Sequence, residues 1–187
     1  PSARLGHAMA YDAWRDRTVL FGGSTLQGET SETWEWDGAT WALRTPVNSP
    51  PPRVYHALAY DSARQRVVLF GGSNGGSIFG DTWEWDGTDW ALRFPLGSPI
   101  PRTGHTMAYD SARGRVVAFL QPWWTIGSGG ETWEYDGTAW VNVTPYPTPV
   151  VPYNSRGQAA MAFDGTRGKL VLYLYDSLRG VTETWTR

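Results

Sequence analysis

A chain of 187 residues sets the scale of one domain, and a formal net charge of −2 gives no steering toward nucleic acid or an anionic membrane surface. The longest apolar runs are strand-sized, such as VVLF at 67–70, and no bilayer span or signal peptide is read in them or in the opening PSARLGHAMAYD. The absence of cysteine excludes disulfides, thiolate metal sites and a cysteine nucleophile, and leaves twelve tryptophans as the outlier to be explained.

The elements come in four copies. The first opens with RLGHAMAYD from Arg4 to Asp12, crosses a basic turn, and continues as TVLFGG, then ETWEWDG from Glu32, then a run starting near Trp41. The second repeats this order with RVYHALAYD from Arg53, RVVLFGG, DTWEWDG from Asp81 and Trp90. The third has RTGHTMAYD from Arg102, RVVAFLQ, ETWEYDG from Glu131 and Trp140. The fourth, after a longer linker, has RGQAAMAFD from Arg156, KLVLYLY and ETWTR from Glu183. The first three copies start about 49 residues apart, a spacing that belongs to repeat architectures. Runs rich in Val, Tyr, Trp, Phe and Thr, broken by Gly, Asp and Pro, predict four short antiparallel strands per copy. Asp37-Gly38, Asp86-Gly87 and Asp136-Gly137 are expected to turn the third strand into the fourth, because Gly supplies positive φ. Lys169 is the only lysine, an Arg bias that reads as bacterial genome composition.

The order Arg-x-x-His, a strand ending Gly-Gly, a third-strand aromatic and a fourth-strand Trp resembles the kelch repeat, over essentially the whole chain. The resemblance implies an all-β fold, a β-propeller with four kelch-like blades at about 1–52, 53–101, 102–155 and 156–187. Gly22-Gly23 and Gly71-Gly72 would end second strands; the third copy departs with Leu120-Gln121, and the fourth has Ala159 in place of His. The fourth copy reads as lacking its outer strand. A fragment of a longer propeller, or chains that associate to complete a ring, is therefore expected over a four-bladed monomer.

Nine tryptophans fall in the repeat frame: Trp34, Trp36, Trp41, Trp83, Trp85, Trp90, Trp133, Trp140 and Trp185. They are expected to fill the wedges between blades. Trp14, Trp123 and Trp124 lie outside the frame and are the better ligand candidates. One edge carries near-constant turns, with Asp12, Asp61, Asp110 and Asp164 ahead of basic residues. The other carries the divergent loops STLQGETS, SNGGSIFG, PWWTIGSGG and DSLRGVT, where specificity can be placed on a constant frame. Kelch propellers generally bind through this face and the channel mouth. Ser24, Ser73, Asn74, Asp176, Trp123 and Trp124 are the loop candidates.

Arg4, Arg53, Arg102 and Arg156 open the four copies and could ring the mouth for an anion, or tie the blades together. His7, His56 and His105 share one repeat position and could converge on an axial metal, although a hydrogen-bonding role between strands is the favoured reading and no metal is assigned. No phosphate loop, nucleophile elbow or metalloprotease helix is present, and no cofactor is expected. Copper radical chemistry known on kelch propellers needs a Cys cross-linked to Tyr, which this sequence lacks. The leading expectation is a non-catalytic module, extracellular or periplasmic, that binds a protein or glycan through the variable face. The alternatives are an isomerase- or lyase-like enzyme with its site at the channel mouth, and a structural part of a larger or assembled propeller.

Overall fold

The computed structural model describes residues 1–121, 130–145, 159–176 and 181–186, and among them there are nineteen strands and no helix. The first sheet is an antiparallel meander of β1 (Ala8–Asp12), β2 (Arg17–Phe21), β5 (Thr33–Trp36) and β6 (Trp41–Arg44). Between β2 and β5 a two-residue ribbon, β3 (Ser24–Thr25) and β4 (Gly28–Glu29), stands off its end. The second sheet repeats the plan with β7 (Ala57–Asp61), β8 (Arg66–Phe70), β11 (Thr82–Trp85) and β12 (Trp90–Arg93), and has its own ribbon, β9 (Ser73–Asn74) and β10 (Ser77–Ile78). The third is β13 (Thr106–Asp110), β14 (Arg115–Leu120), β15 (Glu131–Tyr135) and β16 (Trp140–Asn142). The fourth has three strands, β17 (Ala159–Asp164), β18 (Lys169–Asp176) and β19 (Val181–Thr186).

Alternation along each strand gives a sheet two apolar faces, and the sheets stack through them in chain order. Val19 and Phe21 of the first sheet pack against Leu58, Val67, Leu69, Trp85 and Trp90 of the second. Ala57, Ala59, Val68 and Phe70, on the opposite face of the second sheet, pack against Met107, Val116, Ala118, Tyr135 and Trp140 of the third. The first strands lie side by side, β1 on β7, β7 on β13 and β13 on β17. No comparable packing joins β17 back to β1 among the described residues.

Three of the in-frame tryptophans, Trp85, Trp90 and Trp140, fill the first two junctions with their indole N–H groups satisfied across them, whereas Trp34, Trp83 and Trp133 donate to Glu32, Asp81 and Glu131 of their own sheets. Trp90 Nε1 donates to Thr33 Oγ1 at 2.9 Å and Trp140 Nε1 to Thr82 Oγ1 at 3.0 Å. Trp85 Nε1 donates to Glu35 Oε1 at 3.0 Å, and the Tyr135 hydroxyl to Glu84 Oε1 at 3.1 Å. Burying an indole without an acceptor would leave a costly orphan donor, so each junction supplies one.

The Asp-Gly turns do carry the third strand into the fourth, in loops of four residues. Four residues, 37–40, separate Trp36 from Trp41, and the Asp37 carboxylate closes the loop by accepting from the Ala39 and Thr40 amides at 2.8 and 2.7 Å. Asp86 and Asp136 do the same. Gly38 still carries the positive φ, at 96°, but the aspartate fixes the turn. Asp12, Asp61, Asp110 and Asp164 likewise accept the amide three residues on, from Arg15, Arg64, Arg113 and Arg167.

The first glycine of each Gly-Gly pair is explained by the next sheet, and the second by the Arg-x-x-His segment of its own. Gly22 and Gly71 have φ of 67° and 66°, where L side chains are strained. A Cβ on Gly71 would lie 2.6 Å from the Arg102 carbonyl oxygen and 2.9 Å from His105 Cε1; on Gly22 it would meet the Arg53 carbonyl at 2.7 Å and His56 Cε1 at 3.0 Å. Gly71→Ala should therefore destabilise by about 2 kcal/mol or more. Gly75→Ala, whose Cβ would meet nothing within 4 Å, should change stability by less than about 0.5 kcal/mol. Urea unfolding of the two variants beside wild type checks this.

Candidate functional site

The edge opposite the β1–β2 turns is built by the Arg-x-x-His segments together with the two ribbons. Each segment is stitched to the ribbon of its own sheet: Leu5 bridges Ser24 and Val54 bridges Ser73. Each is also stitched to its neighbour. The Tyr55 amide donates to the Gly6 carbonyl at 2.7 Å, and the Gly104 amide to the Tyr55 carbonyl at 2.9 Å. The Gly23 amide donates to the Arg53 carbonyl at 2.9 Å and the Gly72 amide to the Arg102 carbonyl at 2.7 Å. The ribbons meet where the Glu29 carboxylate accepts from the Gly75 amide at 3.2 Å.

Arg4 and Arg53 are consumed inside their own sheets. Arg53 is fully buried, pairs in bidentate fashion with Asp81 at 2.7 and 2.8 Å, donates to the Gly71 carbonyl at 2.9 Å, and lies 4.2 Å from the Phe79 ring centroid. Arg4 pairs with Glu32 at 2.7 Å and donates to the Gly22 carbonyl at 3.1 Å. Arg102 is buried in the same position beside the charge of Glu131. The side chains thus anchor each opening segment to its own second-to-third connection, while the carbonyls of Arg53 and Arg102 tie neighbouring sheets. Arg156 lies outside the described residues.

The histidines occupy separate junctions. His56 is edge-on to Phe21 at 5.5 Å and His105 to Phe70 at 5.3 Å, each between its own sheet and the preceding one. Among the described residues, no group of three or more His, Asp or Glu is arranged to hold a metal. Burial pushes the His56 imidazole down to about 3 and His105 to about 4; His7 is lowered less, by burial and then by Arg4.

Ser24, Ser73 and Asn74 sit half-buried in β3 and β9, on this edge. Asp176 ends β18, paired in register with Val181. Trp123 and Trp124 lie outside the described residues. Trp14 is exposed but belongs to the opposite edge, where its amide donates to the Asp12 carboxylate at 3.1 Å.

Tyr55 is the feature that sequence reasoning passed over. Its φ is 57°, a left-handed conformation that a bulky side chain rarely adopts, and its side chain is half exposed on this edge. Gly6 and Gly104, its counterparts, have φ of 67° and 66°. The column Gly6, Tyr55, Gly104 in the aligned copies was the available signal. Leu5, Leu26 and Ile78 are exposed on the same edge. The arrangement offers an aromatic ring, aliphatic side chains and hydroxyl and amide groups, which is equipment for recognition. No family model and no curated protein matches this chain.

The histidines give a pH signature. Both buried imidazoles bind a proton less readily folded than unfolded, so the unfolded state takes up more protons as pH falls below about 6.5. Their contribution to stability is fully present above that pH and is lost progressively down to about pH 4 and below. Urea midpoints measured from pH 8 to pH 4 should fall across this window. The slope should lessen when His56 and His105 are both replaced by Gln.

Proposed function

We propose that the chain is an array of kelch-type propeller blades acting as a non-catalytic binding module, and that it takes a protein or glycan on the edge formed by β3–β4, β9–β10 and the Tyr55 segment. The observation that carries the reading is Tyr55 itself. Its neighbours in the repeat use glycine at this backbone conformation, so a tyrosine here costs about 1–2 kcal/mol of backbone strain. Its ring is half exposed, so burial returns only part of that cost. A strained, exposed aromatic on a stiff scaffold fits a contact residue. The exposed Leu5, Leu26 and Ile78 along the same edge favour a protein partner; the half-buried Ser24, Ser73 and Asn74 beside Tyr55 suit a glycan. Against a catalytic reading, His56 and His105 are withdrawn into sheet junctions, and the Arg4 and Arg53 guanidinium groups are held by carboxylates.

Tyr55→Gly separates recognition from folding. Its stability should stay within about 1 kcal/mol of wild type, because relief of strain offsets the entropy that glycine adds to the unfolded chain. Tyr55→Ala, which keeps the strain, should be the less stable of the two. Wild type and Tyr55→Gly are to be compared on an immobilised oligosaccharide panel and a displayed peptide library. Hits of the wild type should weaken by about tenfold or more in Tyr55→Gly. Hits of equal strength on both proteins would refute the assignment of this edge.

A further inference from the structure

Every interior junction has a receiving face and a docking face, and the stack carries a spare one of each. The first sheet receives with Ala8, Ala10, Val19 and Phe21. The fourth sheet presents the same positions as Ala160, Ala162, Val171 and Tyr173, since Ala160 pairs with Tyr173 as Ala8 pairs with Phe21. Ala160, Ala162 and Tyr173 are exposed. The second sheet docks with Leu58, Trp85 and Trp90, all buried. The counterparts on the first sheet are Met9, Trp36 and Trp41. Met9 is 52% exposed and its neighbour Tyr11 54%. Trp36 and Trp41 are partly exposed and lean on each other with centroids 5.6 Å apart, and their indole N–H groups make no hydrogen bond among the described residues.

The turns at the constant edge show the same spare halves. Arg15 of the first sheet donates to the Asp86 carbonyl of the second. Arg64 of the second lies under the third-sheet turn, where a Cβ on Gly137 would be 2.6 Å from its guanidinium. Gly38, at the same place in the first sheet, faces open space. Arg167, the fourth-copy counterpart of Arg15, has a side chain 74% exposed and is paired with Asp164 of its own turn.

We propose that the exposed face of the first sheet is a docking surface for the exposed face of the fourth sheet of a second copy of this chain, in a head-to-tail contact that repeats the interior junction. Both halves are on one chain, and the junction they would form is already seen within it. In that contact Arg167 of one copy meets the Asp37-Gly38 turn of the next, as Arg15 meets Asp86-Gly87. The register positions that Thr33 and Glu35 hold in β5 are held in β19 by Thr184 and Thr186. A heterologous contact leaves the same two halves free after each addition, so it gives either a closed ring or an open chain of copies. The inference stands apart from whatever the Tyr55 edge binds.

Sedimentation velocity of the 187-residue chain, from micromolar to near-millimolar concentration, tests this. Two variants go with it. Met9→Glu with Tyr11→Glu blocks the first face, and Ala160→Glu with Arg167→Glu blocks the fourth. Wild type should shift to higher mass with concentration, and each variant alone should lose association by about tenfold or more. An equal mixture of the two variants should form a two-chain species, because each keeps one intact half. A wild type that stays monomeric throughout overturns the proposal and leaves the face to a further repeat or another protein. So does a fourth-face variant that associates like wild type, which would mean a symmetric contact through the first sheet. A mixture that stays monomeric while wild type assembles overturns it as well. Should a variant prove unfolded by circular dichroism, wild-type tryptophan emission decides: it should move to shorter wavelength with concentration as Trp36 and Trp41 are covered, and an unmoved spectrum counts against the contact.

Discussion

An indole wedged between two sheets, with its one proton handed to the sheet in front, is the interaction on which this structure rests. A buried Trp removes about 150–250 Å² from water, on the order of 4–6 kcal/mol before conformational entropy is subtracted. Sheets of strands this short need a hydrophobic face covered before they are stable. Trp85 and Trp90 give the second sheet a reason to lie on the first, and Tyr135 and Trp140 give the third a reason to lie on the second. The acceptors Thr33 and Thr82, with Glu35 and Glu84, make the contact directional as well as adhesive. Glu35 and Glu84 can be buried because Arg44 and Arg93 neutralise them at 2.7 and 2.8 Å.

Those junctions decide what each edge is free to do. On the edge of the β1–β2 turns, aspartates close the loops and arginines span from sheet to sheet, so most of the chemistry there is structural. On the other edge, Arg4 and Arg53 pin each opening segment from below, and a run of backbone hydrogen bonds from Gly6 through Tyr55 to Gly104 links the segments above. The ribbons β3–β4 and β9–β10 rise from this stitched base. A ligand-contacting side chain placed there is held by backbone that two sheets share, which is the rigidity that recognition needs.

Much of this was legible in the sequence, and the part that was not has a common cause. The main strands of each sheet and their order could be read from each copy alone, because alternation and turn residues are local signals. The expected packing role holds for Trp85, Trp90 and Trp140, which are buried between sheets, and not for Trp36 and Trp41, which stay partly exposed. The meaning of Gly22 and Gly71 could not, because the atoms that require glycine there belong to the following copy, namely the Arg53 and Arg102 carbonyls and the His56 and His105 rings. The arginine row drew attention as a ring of charge, yet its partners, Glu32 and Asp81, lie 28 residues further along and had been read only as strand openings. The ribbons were hidden because two residues carry no periodicity. Tyr55 was passed over because a positive φ leaves no mark on its own residue, and the hint lay in other copies, in Gly6 and Gly104.

The third and fourth copies show that the junction, and not the copy, is the unit that varies. The third copy lacks the Gly pair and the fourth lacks the histidine, and these are the two halves of a single contact. With Ala159 at the histidine position, no imidazole has to fit against the end of the preceding second strand. That strand is then free to continue: β14 extends through Leu120, which pairs with Glu131 and is buried, where β2 and β8 stop at Phe21 and Phe70. Phe119 and Ala159 pack in the same small core between the third and fourth sheets. A change that looks like decay of the motif in two separate places is, in space, one coordinated replacement of a glycine–histidine contact by a longer strand against a smaller neighbour.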